Sequence, residues 1–142
     1  GYDYRPESHH RVVRALIEHL DLGGITLIAH DWGGPIGLAV AQEAPHRFQR
    51  YVLGNTWAWP VNGIFHFEWF SRAMGGPIGR MTANRHNLFV NQVLPAAMRR
   101  GPLPPDVHQA YRAPFEHRQD WIGTHVFPAC ILGSREWLAG IE

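Results

Sequence analysis

One stretch limits the folds open to this chain more than any other. Residues 25–38 read Ile-Thr-Leu-Ile-Ala-His-Asp-Trp-Gly-Gly-Pro-Ile-Gly-Leu, a short apolar run, a hinge of small residues and a helix-like tail. The run Ile25, Thr26, Leu27, Ile28 has no regular polar alternation, which predicts a strand buried on both faces in a parallel sheet covered by helices. Ala29 lies two residues before Asp31, Gly33 two after it, and Gly34 follows. Small side chains thus flank the place where strand and helix would collide. The spacing predicts a nucleophile elbow, a strained turn that lifts one reactive side chain above the sheet, here Asp31. The plainer alternative is an Asp that caps the next helix.

A carboxylate at such a turn selects its chemistry. Its ordinary pKa is about 3.9, so it is ionised at neutral pH and attacks without a base. Attack on a saturated carbon gives an alkyl ester whose carbonyl water can later hydrolyse; a Ser there would leave an inert ether. Trp32 follows directly, and its indole N–H donates but cannot accept, which suits a departing anion such as halide. The Trp32 backbone N–H can face the oxyanion of the ester.

The segment His-Asp-Trp-Gly-Gly-Pro-Ile-Gly resembles the elbow of haloalkane dehalogenases in the α/β-hydrolase superfamily, and also that of the related epoxide hydrolases. Gly-Asn-Thr-Trp-Ala-Trp-Pro at 54–60, Tyr-Arg-Ala-Pro-Phe at 111–115 and His-Val-Phe-Pro at 125–128 resemble dehalogenase segments in order and spacing. The resemblance runs over nearly the whole chain. It implies a partial α/β-hydrolase fold: one parallel βαβ unit of the core sheet plus a mostly helical cap. Residues 1–59 would be partial core with the elbow, 60–132 the cap, and 133–142 the start of the return to the core.

Taken in order, the chain opens on an amphipathic helix expected over 7–22. Val12, Val13, Leu16, Ile17 and Leu20 form its apolar stripe, with Ser8 as a cap and Gly23 and Gly24 supplying the positive φ that ends it. His9 and His10 point in different directions on a helix and have no partner pair one turn on, so they read as surface histidines and not metal ligands. Pro35 fits the first turn of the helix after the elbow, Gly37 allows close packing on the sheet, and that helix should stop before Pro45. A second strand is expected over 48–55, centred on Tyr51, Val52 and Leu53. In such sheets functional residues gather at the carboxyl ends of strands, here Asp31 and the segment 55–59.

Beyond Pro60 the pattern turns to aromatic helical pieces punctuated by Pro. Phe67, Phe70, Ala73 and Met74 repeat at helical spacing, Leu88, Phe89, Gln92 and Val93 do so before Pro95, and residues 107–111 form a shorter piece. The resemblance places Phe89, Val93 and Leu94 on the substrate pocket, and Trp57 and Trp59 are candidates for the same wall. The competing reading of each is plain core packing. Cys130 among apolar neighbours reads as an inert buried thiol, Arg99 and Arg100 as a solvated turn, and His30 as pointing away from Asp31.

The formal net charge is +1, so nothing in it calls for nucleic acid, and no apolar run is long enough to span a membrane. One cysteine makes no internal disulfide, and the cytoplasm is the expected location. The resemblance calls for no cofactor or metal. It does call for a His to activate water, an acid to orient it and a second halide donor upstream, and none of the ten histidines matches that His. Thr56, where some relatives carry the acid, has no carboxyl. The chain thus reads as an internal piece of a longer polypeptide, with unpaired strand edges that favour self-association or complementation by the missing core segments. The implied parent activity is hydrolysis of small apolar haloalkanes to alcohol and halide, with the piece itself lacking turnover. An epoxide hydrolase would need cap tyrosines, of which only Tyr111 is at hand; a non-catalytic binding module is the third reading.

Overall fold

The computed structural model describes residues 1–99 and 101–141, so Arg100 and Glu142 lie outside the described residues. The first helix, α1 (Pro6–His19), starts on Pro6, whose missing N–H is not needed in a first turn. Its N-cap is Arg5, with no capping side chain. Ser8 therefore lies inside the first turn, buried, where its hydroxyl accepts from Arg11 at 2.8 Å. The chain leaves α1 through Asp21 at φ 46° and Gly24 at φ 64°; Asp21, and not Gly23, takes the first left-handed position.

Strand β1 (Ile25–Asp31) follows, then α2 (Gly33–Glu43) and β2 (Phe48–Thr56). The two strands pair in parallel, from Ile25 opposite Phe48 to Asp31 opposite Thr56, which is the expected βαβ unit. Helix α2 ends at Glu43, two residues before Pro45. It lies close on β1 because residue 37 has no side chain: a Cβ there would come within 2.8 Å of Leu27 Cδ1. Ile17, Val40, Ala41 and Phe48 form the core between α1, α2 and the sheet. Arg14 adds ion pairs to Glu18 and Glu43, both at 2.8 Å. At such exposure each contributes at most about 1 kcal/mol, less than one buried aliphatic side chain.

Burial on both faces of the strand is not what the structure shows. Ile25, Leu27 and Ala29 face the helices, but Ile28 is 77% exposed, and Tyr51, Val52 and Leu53 are exposed as well. Both covering helices lie on one side; among the described residues no element covers the other. The same holds for the outer half of the α1 stripe, where Val12, Leu16 and Leu20 face solvent. His9 and His10 depart in the opposite sense. Both are half-buried, His9 stacked on Phe127 at 5.0 Å and His10 within 3.4 Å of Glu43.

After β2 the described chain is helical: α3 (Phe65–Gly75), α4 (Pro77–His86), α5 (Leu94–Ala96), α6 (Pro105–Arg112), α7 (Gly123–Gly133) and α8 (Arg135–Ala139). Helices α3 and α7 pack face to face. A Cβ at Gly75 would strike the Ala129 backbone, and the Ser71 hydroxyl donates to Pro128 O at 2.6 Å. The helical piece expected from Leu88, Phe89, Gln92 and Val93 is a π-helical turn, Phe89–Val93, that passes through Pro95 into α5. The wider turn needs no hydrogen bond from the Pro95 nitrogen, and His108 Nε2 on α6 meets the Val90 carbonyl at 2.9 Å.

Candidate active site at the strand ends

The strand, abrupt turn and helix expected around Asp31 are all present. Asp31 ends β1 at φ 50°, a left-handed conformation that a non-glycine residue holds only when its surroundings enforce it. Next to it on β2, Asn55 is left-handed at φ 44°. The register skips Asn55, so that Gly54 faces His30 and Thr56 faces Asp31. Two neighbouring strands therefore break at one level, the carboxyl edge of the sheet.

Thr56 holds this level together. Its hydroxyl donates to the Asp31 carbonyl at 2.5 Å, and its side chain fills the space where a Cβ on Gly34 would stand. Gly34 is thus required by close approach across the turn. Thr56 was visible in the sequence only as a missing acid; the signal for its actual place was the second glycine of the pair, which needs a neighbour to explain it.

Trp32 is the N-cap of α2, and no side chain caps that helix end, so Asp31 is not a capping residue. The first N–H groups of α2 have no partner within the helix and carry partial positive charge, which favours an anion close to Asp31. The Asp31 carboxylate itself is exposed. The Trp32 ring is buried in a cluster with Ile36, Trp57, Val61, Ile131 and Leu138. Trp57 meets it edge to face at 5.0 Å and 63°, and Phe127 lies tilted to it at 5.7 Å and 42°. Burial pushes the Cys130 thiol of the same cluster above its ordinary pKa, which keeps it protonated.

The sequence-predicted residues thus divide. Asp31, Trp32 and Trp57 come together at the strand ends. Phe89, Val93 and Leu94 lie half-buried on and just after the π-helical turn and are not in the cluster around the tryptophans. Trp59 is 59% exposed and packs on neither. Tyr111 is 53% exposed. Surface concavities lie beside Tyr2 and Arg11 and beside Met98 and Pro104; neither is lined by Asp31, Trp32 or Trp57. Among the described residues no group of three or more His, Cys, Asp or Glu could hold a metal ion, and no helix is long and apolar enough to cross a membrane.

The family model for the alpha/beta hydrolase fold matches residues 1–100, and the chain belongs to that family. Within it the likeness is to haloalkane dehalogenases. Haloalkane dehalogenase 2 of Mycobacterium tuberculosis is 36% identical over 139 residues, which are 98% of this chain and 48% of the relative. The chain therefore spans about half the length of that relative. A cis-3-alkyl-4-alkyloxetan-2-one decarboxylase of Shewanella oneidensis is 31% identical over 134 residues, covering 87% of this chain and 40% of that protein. The crystal structure of the haloalkane dehalogenase DatA from Agrobacterium tumefaciens superposes with a TM-score of 0.79 at 22% identity, over 96% of this chain and 51% of that one. Haloalkane dehalogenase DbeA from Bradyrhizobium elkani gives 0.78 at 22% identity, over 97% and 52%. These two likenesses show the fold: a partial α/β-hydrolase core with helical elements.

Proposed function

We propose that this chain is the nucleophile-bearing half of a hydrolase that converts small apolar haloalkanes to alcohols. The observation that carries the reading is Asp31, held left-handed at the end of β1 with Trp32 directly after it. In the first step the carboxylate attacks the halogen-bearing carbon in line. A C–O bond forms, the C–halogen bond breaks, and the halide leaves with the bonding pair onto the Trp32 indole N–H. In the second step water adds to the ester carbonyl, whose oxyanion faces the Trp32 backbone N–H, and alcohol and a proton are released. That step needs a His and its acidic partner from core segments supplied in addition to this chain, joined to it or as a separate complementing polypeptide. Trp57, Phe89, Val93 and Leu94 would line the path of the substrate, and no cofactor is called for.

The decarboxylase likeness supports a second reading, in which the same carboxylate opens a strained oxetan-2-one ring. The test is mass spectrometry with peptide mapping after incubation with a 1-bromoalkane, and in parallel with an alkyl oxetan-2-one. The expected result is an alkyl adduct that persists on Asp31 in the chain alone and turns over when the missing core segments are added. Absence of any bromoalkane adduct on the folded chain would overturn the dehalogenase reading; an adduct from the oxetanone only would put the second in its place.

A further inference from the structure

Helices α3 and α4 each pack with one side and leave a large apolar side in solvent. On α3, Ser71, Met74 and Gly75 turn inward, Ser71 and Gly75 against α7, while Phe65 and Trp69, one turn apart, lie on the opposite side. Phe65 is 81% exposed and Trp69 63%. On α4, Gly79 and Ala83 are buried, whereas Ile78 and Met81 are exposed, Ile78 at 74%. A Cβ at Gly79 would strike the carbonyl oxygens of Ala73 and Met74, and Arg80 Nε donates to the Gly75 carbonyl at 3.1 Å. The start of α4 is thereby held on the end of α3, and the two outward sides follow one another across the turn at Gly76. Single exposed apolar residues need no account; four large ones on two successive helices do.

Charge decides what meets them. The net charge of +1 hides a local imbalance: no carboxylate stands between Glu68 and Asp106, and five arginines do. Glu68 itself is held 2.9 Å from Arg72. Arg72 lies one turn beyond Trp69 and Arg85 one turn beyond Met81, both exposed on the outward sides. A matching surface is therefore apolar within and negative at its boundary. A second copy pairing through the same helices would set arginines against arginines. Phe65 and Ile78 project with most of their surface free and line neither of the concavities described above, so what takes them up must yield around them. The headgroup–acyl boundary of a bilayer does so, and aromatic rings and arginines favour that depth. We propose that the outward sides of α3 and α4 seat on an anionic lipid bilayer, with Phe65, Trp69, Ile78 and Met81 in the boundary and Arg72 and Arg85 on the lipid phosphates. This surface is independent of the chemistry at Asp31.

Flotation of the full chain with vesicles of phosphatidylcholine, with and without phosphatidylglycerol, tests this. The chain is expected to float with the vesicles that contain phosphatidylglycerol. The variant F65S/W69S, which loses the inserted rings, should bind them about tenfold more weakly or less. R72Q/R85Q, which loses two headgroup contacts, should also lose about tenfold. All four side chains are exposed, so the fold is kept, and circular dichroism checks it. Added salt should weaken the unsubstituted chain more than R72Q/R85Q. I28S/V52S, on the open face of the sheet, controls for simple apolar adhesion and should bind as the unsubstituted chain does. Brominated acyl chains should quench the tryptophan fluorescence of the unsubstituted chain more than that of W69F. No binding to the anionic vesicles, undiminished binding of F65S/W69S, or a loss confined to I28S/V52S overturns the inference. So does an oligomer in sedimentation velocity without lipid that F65S/W69S abolishes, because a second copy then occupies the surface.

Discussion

The sheet half and the helical half of this molecule use apolar residues in different ways. In the helical half one set closes on neighbouring helices while another faces out: α3 meets α7 through Gly75 and Ser71, and Leu138 on α8 is fully buried against the cluster that also holds Trp32 and Trp57, whereas Phe65, Trp69 and Ile78 are exposed. In the sheet half β1 and β2 carry apolar residues on both faces, but only the helix side of β1 and the start of β2 at Phe48 are covered. The helical half thus packs partly on itself and partly on Trp32 and Ile36 of the sheet half, whereas the sheet half holds the left-handed Asp31 and leaves an apolar face open. That open face fits a chain covering about half the length of its relatives, with the Asp31 edge lying where the two halves meet.

The sharpest test of this contrast removes one apolar side chain from each half. Leu138→Ala leaves a cavity in the shared cluster and is expected to cost about 2–5 kcal/mol in urea unfolding. Ile28→Ala takes as many carbons from the open face and should change the chain's own stability by no more than about 0.5 kcal/mol. Comparable losses at both sites would mean that the open face is covered in solution, by self-association or by another polypeptide, and sedimentation velocity would then show the larger species.

The second test lies at the junction. Gly34→Ala places a methyl group on the Thr56 side chain, and overpacking of this kind costs about 1–3 kcal/mol. Pairing it with Thr56→Ala vacates the space, so the double variant should regain most of the unfolding free energy lost. It should not regain Asp31 alkylation in full, because the hydroxyl that fixes the Asp31 carbonyl is gone. Full recovery of both would show that Thr56 only fills space.

These elements also mark what could be read from the sequence and what could not. The strand, the turn at Asp31, the helix after it and its close approach at Gly37 all follow from local rules about small residues and apolar runs, and the structure has them. The exposure of Ile28 does not follow, because an apolar strand looks the same whether its second face is covered by this chain or by nothing in it. His9 fails for a related reason. Its helix position marks it as wet, but Phe127, far away in sequence, stacks on it. Phe89, Val93 and Leu94 depend on a π-helical register that no simple periodicity announces.

The smallest expected effect is a dependence on pH, and it divides the same two regions. His9 on α1 and His125 on α7 each bury a ring nitrogen without a partner, and burial holds both below the ordinary histidine pKa. A lowered folded value means that the unfolded chain binds the proton more readily. The neutral rings therefore cost nothing above about pH 6.5, and stability is lost as the pH falls through that value towards the folded pKa. His9→Phe and His125→Phe should each flatten this acid-side decline in Tm. The causes differ, however: Asp3 opposes the shift at His9, whereas the Arg80 charge adds to it at His125. Added salt screens charges and leaves desolvation alone, so it should lessen the benefit of His125→Phe and slightly enlarge that of His9→Phe. Identical salt responses would mean that neither charge acts on its histidine, and that burial alone sets both.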